Sequence, residues 1–161
     1  MFPKRFISNS DSDSGIWEEL ERGAPTIMGF ARLCANCIAA DVCEPEGLSI
    51  EARAILFAAS DRGVIEIKSS SSAFDSVDRF LAVCVETQLD EGIVFRDRSQ
   101  PHRTIEFLDA FRELCAHGLV IHHLLDEFSL SGEGFRLATS IDEEEVQESL
   151  EFGSKLARHE W

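Results

Sequence analysis

The sequence predicts an α+β fold that is mainly helical, with a small antiparallel β-hairpin in its C-terminal half. Apolar residues at helical spacing run from Ile105 to Cys115, and Gly118 then supplies the left-handed conformation that ends many helices. Two short β-rich runs follow, at residues 119–122 and 127–130. Since 44% of the 161 residues are hydrophobic, the chain can bury one sizeable core.

The N-terminal part of the chain is predicted to be a flexible segment followed by helices. Residues 1–14 are rich in Ser and Asp, a composition that favours disorder. Ser14 is a suitable N-cap for a helix near Ile16, and a second helix is predicted over residues 26–42. Residues 15–43 therefore form an N-terminal helical extension, which a Glu-Pro-Glu-Gly linker ends.

Residues 49–140 are predicted to form one domain. Spacing and turn residues divide its first part into a helix at 49–60, a strand at 64–67, a helix at 74–86, a candidate strand at 92–95 and a helix opened by Pro101.

Residues 141–161 are predicted to form a C-terminal helical segment, with the helix itself running to residue 159. Acidic residues fill its first turns and basic ones lie near its end, as the helix dipole favours. Its apolar stripe, which includes Val146 and Leu150, is predicted to pack on the domain or to form a homodimer.

Two stretches of the C-terminal half follow a known pattern. Residues 114–120 are LCAHGLV, and residues 128–134 are FSLSGEG. Together, within residues 99–138, they resemble the recognition helix, wing and closing turn of a winged helix–turn–helix domain, found in small transcription regulators. The resemblance implies a winged-helix-like domain with a small antiparallel β-wing whose tip is formed by Asp126 and Glu127, flanked by N- and C-terminal helices. It also implies that the helix opened by Pro101 faces DNA.

The charge of the chain argues against that function. There are 30 acidic and 15 basic residues, a net charge of −15, and the excess is spread along the whole chain, which repels nucleic acid and anionic membranes. The candidate contact residues for DNA or a partner form one local patch: Arg96, Arg98, Gln100, His102 and Arg103. Six residues are predicted to face outward on the following helix: His102, Arg103, Glu106, Asp109, Ala110 and Glu113. Three of these six side chains are carboxylates, which repel the phosphates of DNA.

We therefore predict an acidic, non-enzymatic, winged-helix-like module that binds a protein partner. A DNA-binding transcription regulator is the alternative. If the five patch residues lie on one face without a carboxylate between them, the DNA-binding function is favoured. If Glu106, Asp109 and Glu113 lie beside them, the protein-binding function is favoured.

A zinc- or thiol-dependent protein is a second alternative, suggested by Cys34-x-x-Cys37. Zinc needs four thiolate or imidazole ligands, so further residues would have to join the pair, chosen from Cys43, His117, His122 and His123. Because Cys34 and Cys37 fall on the apolar face of a predicted helix, they are interpreted as small hydrophobic residues, and no metal is predicted. His122 and His123 are predicted to point to opposite faces of a strand.

No motif for catalysis is found in the sequence. It has no Gly-rich phosphate loop, no nucleophile elbow and no His-Glu-x-x-His sequence, so neither an enzyme nor a cofactor is predicted. No run of about 18 apolar residues and no apolar leader are present, so no membrane association is expected. With five cysteines in no regular framework, the chain is expected to be cytoplasmic.

Overall fold

The computed structural model of the chain describes residues 25–37, 45–69, 79–157 and 160. Within these residues the helices are α1 (Pro25–Asn36), α2 (Ile50–Ala59), α3 (Pro101–Ala116), α4 (Gly132–Ala138) and α5 (Glu143–Phe152), with a 3₁₀ turn at Pro45–Gly47. The strands are β1 (Val64–Lys68), β2 (Ala82–Gln88), β3 (Glu91–Val94), β4 (Val120–Leu124), β5 (Glu127–Leu130) and β6 (Ser154–Ala157). This confirms the α+β fold with a β-wing, which is the β4–β5 hairpin.

The six strands form one antiparallel sheet in the order β4-β5-β1-β2-β3-β6. Strands β4 and β6 are therefore its two edges. The wing is continuous with the rest of the sheet because β5 pairs with β1, placing Phe128 opposite Ile65. A β-bulge interrupts the register of the hairpin between His122 and Leu124.

Local signals in the sequence explain several element ends. The Ser49 hydroxyl accepts a hydrogen bond from the Ala52 amide (3.3 Å) and caps α2, and Ser131 caps α4 in the same way through Gly134 (3.1 Å). Gly118, after α3, has a φ of 68°, as predicted for a residue that ends a helix. Gly134 allows α4 to approach the chain before β4, since a Cβ there would lie 2.1 Å from the Leu119 carbonyl oxygen.

The core lies between the helices and one face of the sheet, and it contains two groups of phenylalanine rings built around α3. In the first, Phe111 packs edge-to-face on Phe30 (5.2 Å between ring centroids) and on Phe128 (4.9 Å). In the second, Phe107 stacks on Phe95 (4.2 Å) and on Phe152 (5.3 Å). Consecutive turns of α3 thus contribute one ring to each group.

Two predicted helices are wrong in part. The helix predicted at 74–86 is a strand over residues 82–86, part of β2; residues 70–78 lie outside the described part of the chain. The first five residues of β2 are buried, which is typical of a strand covered on both faces. The helix-like spacing of its apolar residues is a coincidence.

The C-terminal helix predicted over 141–159 ends at Phe152, and residues 154–157 form β6 beside β3. Gly153 takes an extended conformation there, and a Cβ on it would lie 2.1 Å from Ile93 Cγ2. The helix predicted over 26–42 ends at Asn36, with residues 38–44 outside the described part. The flexible segment at 1–14 and the helix near Ile16 also lie outside it.

Candidate functional site

The structure divides the predicted basic patch into internal and exposed residues. Arg96 is internal: its Nη2 donates to the carbonyl oxygens of Lys68 (3.0 Å) and Phe80 (2.9 Å), which ties the end of β1 to the chain before β2. Arg98, Gln100 and His102 are exposed. The patch therefore does not present five side chains on one face.

Arg103 is the second patch residue that is committed to internal contacts. Its Nη1 donates to Glu51 Oε1 (2.8 Å) and Glu106 Oε2 (2.9 Å), and its guanidinium lies over the Phe107 and Phe152 rings (5.7 and 5.3 Å to the centroids). Burial opposes its charge, but the two carboxylates outweigh burial and raise the pKa of Arg103. The side chain thus closes one end of the phenylalanine stack.

Of the three predicted outward carboxylates of α3, Glu106 contacts a patch residue, and Asp97 lies within the patch sequence. Asp97 lies between the two arginines and accepts hydrogen bonds from the Ser99 hydroxyl (2.7 Å) and amide (2.8 Å), which lower its pKa and keep it ionised. Along α3, Glu106 pairs with Arg103 and Asp109 with Arg112 (3.2 Å).

Two other predicted outward residues of α3 make contacts within the chain. Glu113 accepts from the Ser49 hydroxyl at 2.6 Å and so links α3 to the start of α2. The prediction that Ala110 faces outward is wrong. Ala110 is 4% exposed, because this side of α3 packs against neighbouring helices. The part of the α3 surface that is available to a ligand is therefore small and acidic. A helix that contacts bases in the DNA major groove needs a broader surface with hydrogen-bond donors.

A shallow groove of about 440 Å³ separates the patch from the last strand. Its lining combines arginines with an apolar floor: Val94, Arg96, Asp97, Arg98, Phe152, Ser154 and Leu156. Because Asp97 also lines the groove and Arg96 is used internally, the groove is not a strong anion site.

Among the described residues, the thiols and imidazoles named in the sequence do not form a group that could hold a metal. Within the described residues no group of three metal-binding side chains is present, and Cys43 lies outside them. His117 is exposed. His122 packs on Phe128, whereas His123 hydrogen-bonds with Ser129 (2.7 Å), which confirms that the two imidazoles take opposite faces.

Cys34 and Cys37 instead meet α3. The Cys37 thiol donates to the Ala116 carbonyl oxygen (2.9 Å). Hydrogen bonding with the Cys115 thiol lowers the pKa of Cys34, which burial opposes. Sequence reasoning placed Cys115 in the apolar face of α3 but missed this partnership, because nothing in local spacing connects two residues so distant in the chain.

The outer surface of the wing carries the main cluster of exposed aliphatic residues in the described chain. Ile121, Leu124 and Leu125 are 46%, 50% and 47% exposed. Ile121 lies opposite Ser129, and Leu124 lies opposite the exposed Glu127. The wing surface is defined here as Ile121, Leu124 and Leu125 together with Asp126 and Glu127 at the tip.

The tip of the wing has an unusual backbone. Leu125 has a φ of 51°, in the left-handed region that side chains branching beyond Cβ rarely occupy. The other tight hairpin, between β2 and β3, places Asp90 in that region (φ of 59°), and Asp tolerates it well. The wing therefore exposes a leucine at a position where Asn, Asp or Gly would be more stable.

No helix among the described residues has both the length and the apolar composition needed to cross a membrane. No family model, curated protein or solved structure matches this chain.

Proposed function

We propose that this chain is an acidic, non-enzymatic interaction module that binds a protein partner through the wing surface. The observation that carries the proposal is the cluster of three half-exposed aliphatic residues, Ile121, Leu124 and Leu125, on one hairpin. Clustered exposed apolar side chains mark interaction sites, whereas single ones are ordinary. The other exposed large apolar residues of the described chain, such as Leu89 and Ile105, lie apart on separate elements.

The wing surface is held in place by contacts within the chain. Strand β5 pairs with β1, the His122 ring donates from Nε2 to the Leu125 carbonyl oxygen (2.9 Å), and Phe128 anchors the hairpin in the core. A preformed surface loses little conformational entropy on binding, so more of the contact energy appears as affinity.

The left-handed Leu125 supports a binding role for the tip. A strained residue persists where function requires its side chain, and a leucine at an exposed turn contributes nothing to the core. Charge indicates the nature of the partner: Glu127 borders the aliphatic residues and the whole chain carries −15. We infer a partner that combines an apolar anchor with basic residues around it.

The other proposed partners have less support. DNA would depend on a patch in which Arg96 and Arg103 are already engaged, although the resemblance to winged-helix regulators keeps this alternative specific enough to test. A homodimer through the C-terminal helix would have to use the acidic side of α5, since Val146 is fully buried and α5 packs on α2. Two such acidic surfaces repel each other.

We also propose a cytoplasmic location. The four described cysteines are free thiols, as is usual in a reducing compartment.

Photo-crosslinking in the native cells tests the proposed function. A photoreactive residue replaces Leu124 in one variant and Leu89 in a matched control, because Leu89 is even more exposed (71%) but isolated on the β2–β3 turn. We expect a discrete protein adduct from position 124 only. Excess unlabelled protein should suppress it, while the Ile121→Glu, Leu124→Glu double variant should not.

Identical adducts from both positions would contradict the proposal. Binding of the purified protein to random duplex DNA at low salt, at about 10 μM, would favour the regulator instead, particularly if Arg98→Glu abolished it.

A further inference from the structure

We propose that the partner binds the wing surface with a single amphipathic helix, which carries basic residues along its flanks and lies flat across β4, β5 and β1. This mode of binding rests on the proposed function and specifies which element of the partner is bound. The helix lies on the outer face of the sheet, the side turned away from the described helices. The accessible residues of the outer face are Val64, Ile121, His123, Leu124, Glu127 and Ser129.

The strand register places Ile121 and Val64 on the outer face. Successive residues of a strand alternate between faces, and directly opposed residues of neighbouring strands share one face. Phe128 belongs to the core, so the next residue, Ser129, points to the outer face. Ser129 lies opposite Ile121 on one side and opposite Val64 on the other. These three residues therefore form one row across β4, β5 and β1.

The β-bulge in β4 brings Leu124 onto the same face. The register shifts between His122 and Leu124, so that Leu124 lies opposite Glu127. Since Glu127 precedes the core residue Phe128, it points to the outer face, and Leu124 points there with it. Regular alternation after His122, which packs on Phe128, would instead turn Leu124 towards the core. The bulge thus puts two aliphatic side chains, Ile121 and Leu124, on the outer face of β4.

The accessible part of the outer face is about as wide as one helix. Ile121 and Leu124 on β4 are about half exposed, and Val64 on β1 is partly exposed. Farther along the same face, Glu66 on β1 and Cys84 on β2 are 2% and 1% exposed, so access ends at β1. Three strands span two inter-strand spacings, or about 10 Å, and a helix with its side chains is about 10–12 Å across. One helix therefore covers the accessible residues.

The charges on this face favour a partner helix with basic flanks. Glu127 lies directly opposite the buried Glu66, and like charges at such positions repel each other. Lys68 pairs with Glu66, and Asp126 adds a second carboxylate beside Glu127 at the tip. A lysine or arginine of the partner next to Glu127 offsets this repulsion. A second copy of this chain is a poorer occupant, because two acidic tips repel each other.

Addition of a partner strand to the edge of β4 is the alternative mode of binding. Although β4 is an edge strand, α1 packs against it and a bulge interrupts its regular pairing, and both features protect an edge. Side chains stand roughly perpendicular to a sheet. A strand added in the plane of the sheet would therefore leave Ile121 and Leu124 exposed, whereas a helix on the outer face covers them.

Two synthetic peptides of identical leucine and lysine composition test the proposal on the purified full-length protein. One has leucine at helical spacing, and the other alternates leucine with lysine, which favours a strand. Binding is followed through the amide chemical shifts of isotope-labelled protein. We expect the helical peptide to bind about tenfold more tightly and to shift the amides of the accessible residues on all three strands, including Val64 and Ser129.

A matched pair of variants separates the outer face from general attraction to an acidic chain. Ile121→Lys should weaken binding of the helical peptide by about tenfold, since it removes an apolar contact and adds a like charge. Leu89→Lys makes the same change of charge at a residue that is 71% exposed, and should alter binding by less than about twofold. Circular dichroism establishes that both variants are folded. Equal losses in the two variants would overturn the proposal.

Other outcomes distinguish this binding mode from the proposed function. Tighter binding of the alternating peptide, or shifts confined to α1 and the edge of β4, would overturn the helix as the bound element. In cells, a photoreactive residue at Ser129 should give the same adduct as one at Leu124. An adduct from Leu124 without one from Ser129 would overturn docking on the outer face and leave the proposed function standing. Absence of the Leu124 adduct would overturn both.

Discussion

The two groups of phenylalanines around α3 bury their rings to different extents. Phe30, Phe111 and Phe128 pack edge-to-face beneath the wing, and all three are almost fully buried. On the other side of α3, the stack that starts at Phe95 extends outward to the partly exposed Phe152, where Arg103 covers it.

The difference explains why the wing can expose aliphatic residues. All three rings of the edge-to-face group are almost fully buried, whereas Ile121, Leu124 and Leu125 stay about half exposed and available for another molecule. The stacked group ends at the partly exposed Phe152 ring, which is covered by Arg103. Two carboxylates, those of Glu51 and Glu106, hold Arg103 in that position. One side of the molecule therefore rests on packing alone, and the other rests partly on charge.

Removing one ring from each group should show this difference most strongly. Phe111→Ala leaves a cavity between two rings and should lower the free energy of unfolding by about 4 kcal/mol. Phe152→Ala removes a ring that is partly exposed already and should cost about 2 kcal/mol. Urea denaturation measures both values, and equal losses would show that the stack is as deeply embedded as the edge-to-face group.

Glycine substitutions probe the backbone approach on each side. Gly134→Ala places a Cβ 2.1 Å from the Leu119 carbonyl oxygen, which cannot rotate away, and should cost about 3 kcal/mol. Gly153→Ala meets the Ile93 side chain at the same distance, and that side chain can adjust, so about 1–2 kcal/mol is expected.

Gly132→Ala is the matched control, since no atom lies within 4 Å of its Cβ position. It should be neutral or stabilising by up to about 1 kcal/mol. Thermal unfolding ranks the three variants; a Gly134→Ala protein as stable as the Gly132→Ala protein would contradict the close approach of α4.

Replacing Arg103 should separate charge from packing at the end of the stack. Arg103→Met loses both ion pairs and leaves Glu51, only 15% exposed at its side chain, without this partner, so a loss of about 1–2 kcal/mol is expected. Arg103→Lys keeps the positive charge, but an ammonium group cannot both bind the two carboxylates and lie flat over the rings. Its loss of unfolding free energy should be about half that of Arg103→Met. Unfolding measured at low and high salt checks this, because a loss that is independent of salt and equal in both variants would exclude the role of charge.

The smallest effect should be a gain of stability at the wing tip. Leu125→Gly relieves the left-handed strain and should stabilise the fold by about 0.5–1 kcal/mol while weakening partner binding. Asp90→Gly, at the left-handed position of the β2–β3 hairpin, should change stability less and leave binding unchanged. Paired melting and crosslinking experiments measure both properties; a destabilised Leu125→Gly protein would show that this leucine serves the fold rather than binding.

Much of the C-terminal half was predictable because its signals are local. The helical spacing that leads to Cys115, the stop at Gly118 and the β-rich runs around Asp126 specify α3 and the wing without help from the rest of the chain. The N-cap at Ser49 is equally local, since its partner Ala52 lies three residues away.

The elements that were mispredicted depend on partners distant in the chain. Strand β2 is stabilised by β1 and β3 on its two sides, and β6 by β3, so their helix-like spacing was overridden by sheet pairing.

Sequence by itself determined the composition of this protein's surface: a charge of −15, an aliphatic wing tip and five scattered thiols. Only the tertiary structure decided which of these groups are available. It directs Arg103 to Glu51, brings the Cys37 thiol to the Ala116 carbonyl oxygen, and leaves Leu124 and Leu125 about half exposed outside the core. The physical reason is that a side chain's type is a local property, whereas its exposure and its partners are set by segments far away along the chain.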